Sequence, residues 1–139
     1  MAHMVFTDGT FIWNAVNLSA HVREIHLITK LSMVDDSNVM GTVAEKKIPL
    51  LESYDLSVVF SQDFAGSQVD VTLAVDKQAR TARAWEVRPL SSAVGATNPK
   101  WTGTGYISDY DALSGAFGEV LGTRITIVPS VAGAVRAIV

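Results

Sequence analysis

The sequence predicts a mainly β fold, a two-sheet β-sandwich or partly closed barrel with at most one helix. Three observations carry this. The chain breaks into about seven runs that read as strands joined by turns, several of them rich in β-branched and aromatic residues. One of these, Val22–Val34, alternates apolar and polar residues with the period of a half-buried strand. No repeat, low-complexity tract or linker divides the 139 residues, so residues 1–139 are expected to form a single domain.

Residues 1–9 read as a flexible N-terminal arm that closes on the turn pair Asp8-Gly9. Thr10–Leu18 reads as a strand; Phe11, Ile12, Trp13 and Val16 place apolar groups on both of its faces, so both are expected to be covered. In Val22–Val34, Ile25, Leu27, Leu31 and Met33 share one face and Glu24, His26, Lys30 and Ser32 the other. Residues 35–49 are expected to be a hairpin loop well beyond the usual length, and such loops are functional or disordered. Asp55–Ser61 returns to alternation, with Leu56, Val58 and Phe60 inward.

Asp63–Lys77 is ambiguous. Alternation of Val69, Val71, Leu73 and Val75 with Asp70, Thr72 and Ala74 reads as strand, while Asp63 is suited to cap a helix. Ala79–Arg88 reads as a strand with Trp85 and Val87 inward, stopped by Pro89, which has no N–H for a ladder. A small-residue loop, Leu90–Pro99, follows. The next strand, Thr102–Tyr110, sets Tyr106, Ser108 and Tyr110 against Gly105, Ile107 and Asp109, with its glycines admitting a bulge or a close neighbour. A Gly-spaced corner, Leu113–Gly118, leads to Thr123–Val128, which buries Ile125 and Ile127, and Val131–Val139 reads as a last apolar strand.

Composition excludes more than it assigns. Net charge is −3 and the densest cationic spot is Lys46-Lys47, so the clustered cations that release counterions from nucleic acid are missing. Cysteine is absent, which removes disulfides and thiolate metal sites and suits a reducing cytoplasm. His21 and His26 have no carboxylate at zinc-ligand spacing, Asp35-Asp36 lacks the spacing of a calcium loop, and no metal or cofactor is expected. Gly103-Thr104-Gly105 lies inside a strand and opens no helix, unlike a nucleotide fingerprint. Without a nucleophile elbow or carboxylate dyad, no enzyme activity is expected. No apolar run is long enough to span a bilayer, and the N-terminus lacks a cationic-then-apolar signal pattern. Charged residues make up only 18%, which points to a surface partly covered by other subunits.

From Glu86 to Glu119 the chain runs Arg88-Pro89, a small-residue loop, Thr97-Asn98-Pro99, WTGTGYISDY over Trp101–Tyr110, and Gly115-Ala116-Phe117-Gly118-Glu119. This ordered set resembles the C-terminal half of major tail tube proteins of long-tailed (siphovirus-type) bacteriophages. The resemblance implies a small β-sandwich subunit that closes into hexameric rings, which stack into the tail conduit for DNA ejection. It places one helix over about residues 63–77, with Ala65, Val69 and Leu73 along one face. It makes the 35–49 loop an inter-ring contact, through Val39, Met40, Gly41, Val43, Lys46 and Lys47. Where the family often carries a Pro-Gly-Leu turn, Pro49-Leu50-Leu51 stands. The loop residues Val94, Asn98 and Pro99 are expected at subunit contacts, and Glu24, Asp109 and Asp111 are expected to face the lumen, where acids repel phosphates. Implied partners are copies of the chain, tape measure and tail terminator proteins, and passing double-stranded DNA without sticking, with no membrane. The implied location is the virion tail, after synthesis in the bacterial host cytoplasm. The alternatives are a tube subunit of a contractile tail or secretion machine, and a monomeric β-sandwich binding module.

Overall fold

The computed structural model describes residues 3, 4, 6, 8–36, 44–131 and 133–139. Its strands are β1 (Thr10–Trp13), β2 (Val16–Asn17), β3 (Val22–Asp35), β4 (Lys47–Ser61), β5 (Arg83–Arg88), β6 (Lys100–Ser114), β7 (Gly122–Pro129) and β8 (Val135–Ala137); helix α1 (Val69–Ala79) separates β4 from β5. All the strands belong to one antiparallel sheet in the order β2-β1-β5-β6-β7-β4-β3, with β8 beside β6. The expected mainly β fold with one helix forms, and its layers are a single sheet curled on itself without closing into a barrel. Curling is visible in the rings of Phe11 on β1 and Phe60 on β4, which meet edge to face at 5.5 Å although β5, β6 and β7 lie between their strands.

The concave face carries the core. Leu56, Val58 and Phe60 of β4, Ile125 and Ile127 of β7, and Trp85 and Val87 of β5 are buried as their alternation predicts. Each such side chain contributes about 1.5–3 kcal/mol. At the centre, Tyr54 donates to the Thr104 carbonyl at 3.0 Å and accepts from Trp85 Nε1 at 2.9 Å. Gly105 is where the backbone comes closest. A Cβ there would lie 2.8 Å from Tyr54 Oη and 2.9 Å from Ile127 Cγ2, with the Val128 carbonyl nearer still. That is the close neighbour its sequence position suggests.

Several elements depart from expectation. Thr10–Leu18 is not one strand: Asn14 and Ala15 take positive φ (49° and 64°) and fold it into a two-residue hairpin, pairing Trp13 with Val16. Phe11 and Trp13 are buried, and β2 forms the short outer edge. In β6 a register shift between Ile107 and Asp109 inserts Ser108 as an extra residue. Alternation resets there, so Ile107 and Tyr110 face the core and Tyr106, Asp109 and Asp111 face away. The final apolar stretch pairs only through Val135–Ala137.

The helix starts at Val69, later than the expected 63–77, and Gln68 precedes it without a side-chain cap. Asp63 instead accepts from the Ala65 amide at 2.9 Å, closing a local turn, and Ser67 at φ 62° separates that turn from α1. Ala65 is therefore exposed. Val69, Leu73 and Asp76 are buried, a helical spacing, while Val71 and Val75 point outward. Asp76 holds the helix down: its carboxylate accepts from Trp13 Nε1 at 2.8 Å and from Arg83 Nε at 3.2 Å.

Tyr110 ties β6 to the same helix, donating to Asp70 Oδ1 at 2.6 Å and accepting from Gln62 Nε2 at 3.2 Å. Burial, then the Asp70 carboxylate, pushes its phenol up to about 12. A folded-state value above the unfolded one means the fold holds this proton more tightly. The resulting stability is whole below about pH 10, where the unfolded phenol starts to ionise, and is lost as pH rises towards 12. Urea titrations from pH 9 to 12 should therefore fall less steeply for Tyr110→Phe than for the native chain. Parallel curves would remove Tyr110 as a source of the loss.

Candidate assembly interface

An antiparallel sheet that does not close leaves two rows of unpaired amides and carbonyls. Among the described residues, one row lies on β2, only two residues long, and the other runs along β3, fourteen residues with a partner on one side only. Natural proteins rarely leave so long an edge uncovered. The far half of β3 is more exposed still, because β4 pairs with β7 only through Leu56–Ser61. Beyond the buried Tyr54, Lys47–Ser53 and Lys30–Asp35 form a two-stranded ribbon. Its apolar side chains are wet: Leu31 is 45% exposed, Met33 50%, Ile48 42%, Leu50 56% and Leu51 75%.

The ribbon takes up the two ends of the expected 35–49 loop, Asp35 and Lys47–Pro49. Lys47 lies in β4 opposite Asp35, and Lys46, just before it, is exposed with its Nζ 3.3 Å from Asp36. Val39, Met40, Gly41 and Val43 lie outside the described residues. Pro49-Leu50-Leu51 forms no turn. Pro49 sits within β4 opposite Met33, next to a register shift between Leu31 and Met33 and on a stretch without a second neighbouring strand. Those are the settings in which a strand tolerates a residue with no N–H.

On the convex face, the pairings bring the three acids singled out in the sequence onto one surface. Glu24, Val59, Arg124 and Asp111 lie in one row across β3, β4, β7 and β6, and His26, Ser57, Thr126 and Asp109 in the next. Glu24 pairs with His26 and Lys30 with Asp55, so the face is mixed in charge. Asp109 reaches this side only because of the β6 bulge.

The loop after β5 is shaped by Asn98, which is buried. Its Oδ1 accepts from the Leu90 amide at 3.0 Å and its Nδ2 donates to the Ser92 carbonyl at 2.9 Å. Asn98 therefore organises the loop from within and offers little surface, while Val94 and Pro99 are half-buried. The β6–β7 corner presents apolar groups that the sequence reading did not single out: Leu113 is 70% exposed, Val120 69% and Phe117 fully so. The available signal was a lone large aromatic between two glycines.

Among the described residues, no group of three His, Asp or Glu side chains could hold a metal ion, and no helix is long and apolar enough to cross a membrane. No protein-family model and no curated protein matches the chain. Solved structures do. A chain in the virion of a native gene transfer agent (GTA) particle superposes with a TM-score of 0.69 at 12% identity, over 92% of this chain and 95% of that one. The SPP1 tail tube gives 0.68 at 11% identity, over 95% and 77%. The six-fold symmetrised baseplate of the anti-feeding prophage (AFP) gives 0.58 at 12% identity, over 97% of both chains. This chain therefore has the fold of phage-type tail tube structures.

Proposed function

We propose that this chain is a structural protein, the major tail tube subunit of a siphovirus-type particle, which self-assembles into stacked rings around a conduit for DNA. The carrying observation is the fourteen-residue β3, paired on one side only among the described residues and continued into a ribbon whose apolar side chains stay 42–75% exposed. Identical copies supply both missing partners: a neighbouring strand for the edge and an apolar surface for the ribbon. The likeness in fold to the SPP1 tail tube and to the tail of the empty GTA particle with C6 symmetry supports rings of six. The AFP likeness keeps a contractile tail or secretion machine as the second reading.

On this reading the role is not catalytic, and the chain functions in the virion tail after assembly in the host cytoplasm. Tape measure and terminator proteins would occupy and end the tube. The convex face carrying Glu24, Asp109 and Asp111 lines the lumen, where carboxylates keep phosphates from sticking. Val94 and Pro99 sit where a neighbouring copy would contact the loop. Electron microscopy of the purified protein at increasing concentration should reveal rings and then tubes. Tubes of Glu24→Lys, Asp109→Lys, Asp111→Lys protein should retain short duplex DNA that native tubes release. A monomer at every concentration would sink the reading, and equal DNA retention would sink the lumen assignment.

A further inference from the structure

The sheet carries a further unpaired row, on β6. Strand β5 pairs with β6 only through Trp101–Gly105, so from Tyr106 to Ser114 β6 has a strand partner on the β7 side alone among the described residues. Helix α1 meets this stretch through the Tyr110 hydroxyl, which leaves the backbone unused. The phase of the ladder shows which groups point outward. Ser130 donates its amide to the Thr104 carbonyl at 3.1 Å, so by alternation Tyr106 bonds β7 and Ile107 turns its backbone groups the other way. Beyond the Ser108 bulge, Tyr110 does the same. On β4, the Gln62 amide donates to the Leu121 carbonyl at 2.8 Å, which aims Leu56, Val58 and Phe60 at β7. Their partners Leu27 and Ile25, and Thr29 beyond them, therefore bond outward from β3. The row on β6 also has an end: Gln62 Nε2 donates to the Ala112 carbonyl at 2.8 Å.

We infer that β6, from Tyr106 to Asp111, pairs with β3 of the next copy, and that Gln62 fixes where this pairing stops. This rests on the self-assembly reading and names the strand that the β3 edge takes. Within one chain the two edges cannot meet, because β7 and β4 stand between them. The four strands β6, β7, β4 and β3 alternate in direction. Four is an even number, so in a ring of like-oriented copies β3 runs antiparallel to the next β6, with its outward groups in phase. Charge selects the stagger. Level rows would set Glu24 against Asp111, and a shift of two residues along β6 sets His26 there instead. His26 pairs with Glu24 inside the chain, yet its side chain stays 62% exposed.

The absence of cysteine allows a direct test. Ile28→Cys protein, exposed on β3, is mixed with Asp109→Cys protein and treated with a short bis-maleimide during assembly. Cross-linked dimers should form, and at least about tenfold less when Ala84→Cys, exposed on β5 outside the four strands, replaces Ile28→Cys. With Gln62→Met added to both proteins the row runs on past Ala112, and the link from Asp109→Cys should spread from Ile28→Cys to Lys30→Cys. Tubes without the Ile28–Asp109 link overturn the pairing and leave the tube standing. Links without tubes keep the pairing and overturn the tube. Equal yields with Ile28→Cys and Ala84→Cys overturn the pairing, and an unshifted link in Gln62→Met protein overturns the part given to Gln62.

Discussion

Replacing Met33 and Leu51 together by glutamate should leave the chain folded and abolish tube formation. Both side chains lie on the ribbon, 50% and 75% exposed, and neither belongs to the buried core. Surface changes of that kind usually alter stability by less than about 0.5 kcal/mol. In the assembly the same positions are contacts repeated in every subunit. Loss of two apolar anchors costs about 2 kcal/mol each, and an unpaired carboxylate at the contact adds to it. A total near 4 kcal/mol corresponds to roughly a thousandfold rise in the concentration needed to polymerise. Sedimentation and electron microscopy read the assembly, and circular dichroism reads the fold. Tubes at the native concentration would show that the ribbon is not a subunit contact. A lost dichroism signal would show that the ribbon supports the monomer.

Core and ribbon differ in how legible they are from sequence. The core positions Leu56, Val58, Phe60, Trp85, Val87, Ile125 and Ile127 were all readable, because a buried strand face imposes a period of two that nothing else explains. The ribbon was misread by the same rule. Leu31 and Met33 alternate like core residues but lie where β4 has lost its second neighbour, and alternation says nothing of how far the sheet extends behind a strand. Single-residue events were also invisible. The Ser108 bulge moves Asp109 to the convex face, and the positive φ at Asn14 and Ala15 turns a strand into a hairpin. The helix was favoured by resemblance while its Val content argued for a strand. Its burial of Val69, Leu73 and Asp76 rests on partners distant in sequence, Trp13 among them.

That last dependence makes Asp76→Ala strongly destabilising within the monomer, at about 3 kcal/mol. Asp76 is 7% exposed, and its carboxylate serves the Trp13 indole N–H at 2.8 Å and Arg83 Nε at 3.2 Å. Trp13 is fully buried, so without Asp76 its N–H loses its acceptor where water does not reach. An orphaned buried donor costs about 1–3 kcal/mol, and breaking a buried charged pair costs more, here reduced because Arg83 is 38% exposed and can turn to solvent. The helix would lose its tie to β1 and β5 together, since both donors come from those strands or next to them. With a urea slope near 2 kcal/mol per molar, the midpoint should fall by roughly 1.5 M, measured below the assembly threshold. Asp76→Asn keeps an acceptor oxygen and should lose about half as much. Trp13→Phe removes the donor, so Asp76→Ala should cost less in that background than in the native chain. Equal costs in the two backgrounds would mean that the hydrogen bond does not hold the helix to the sheet.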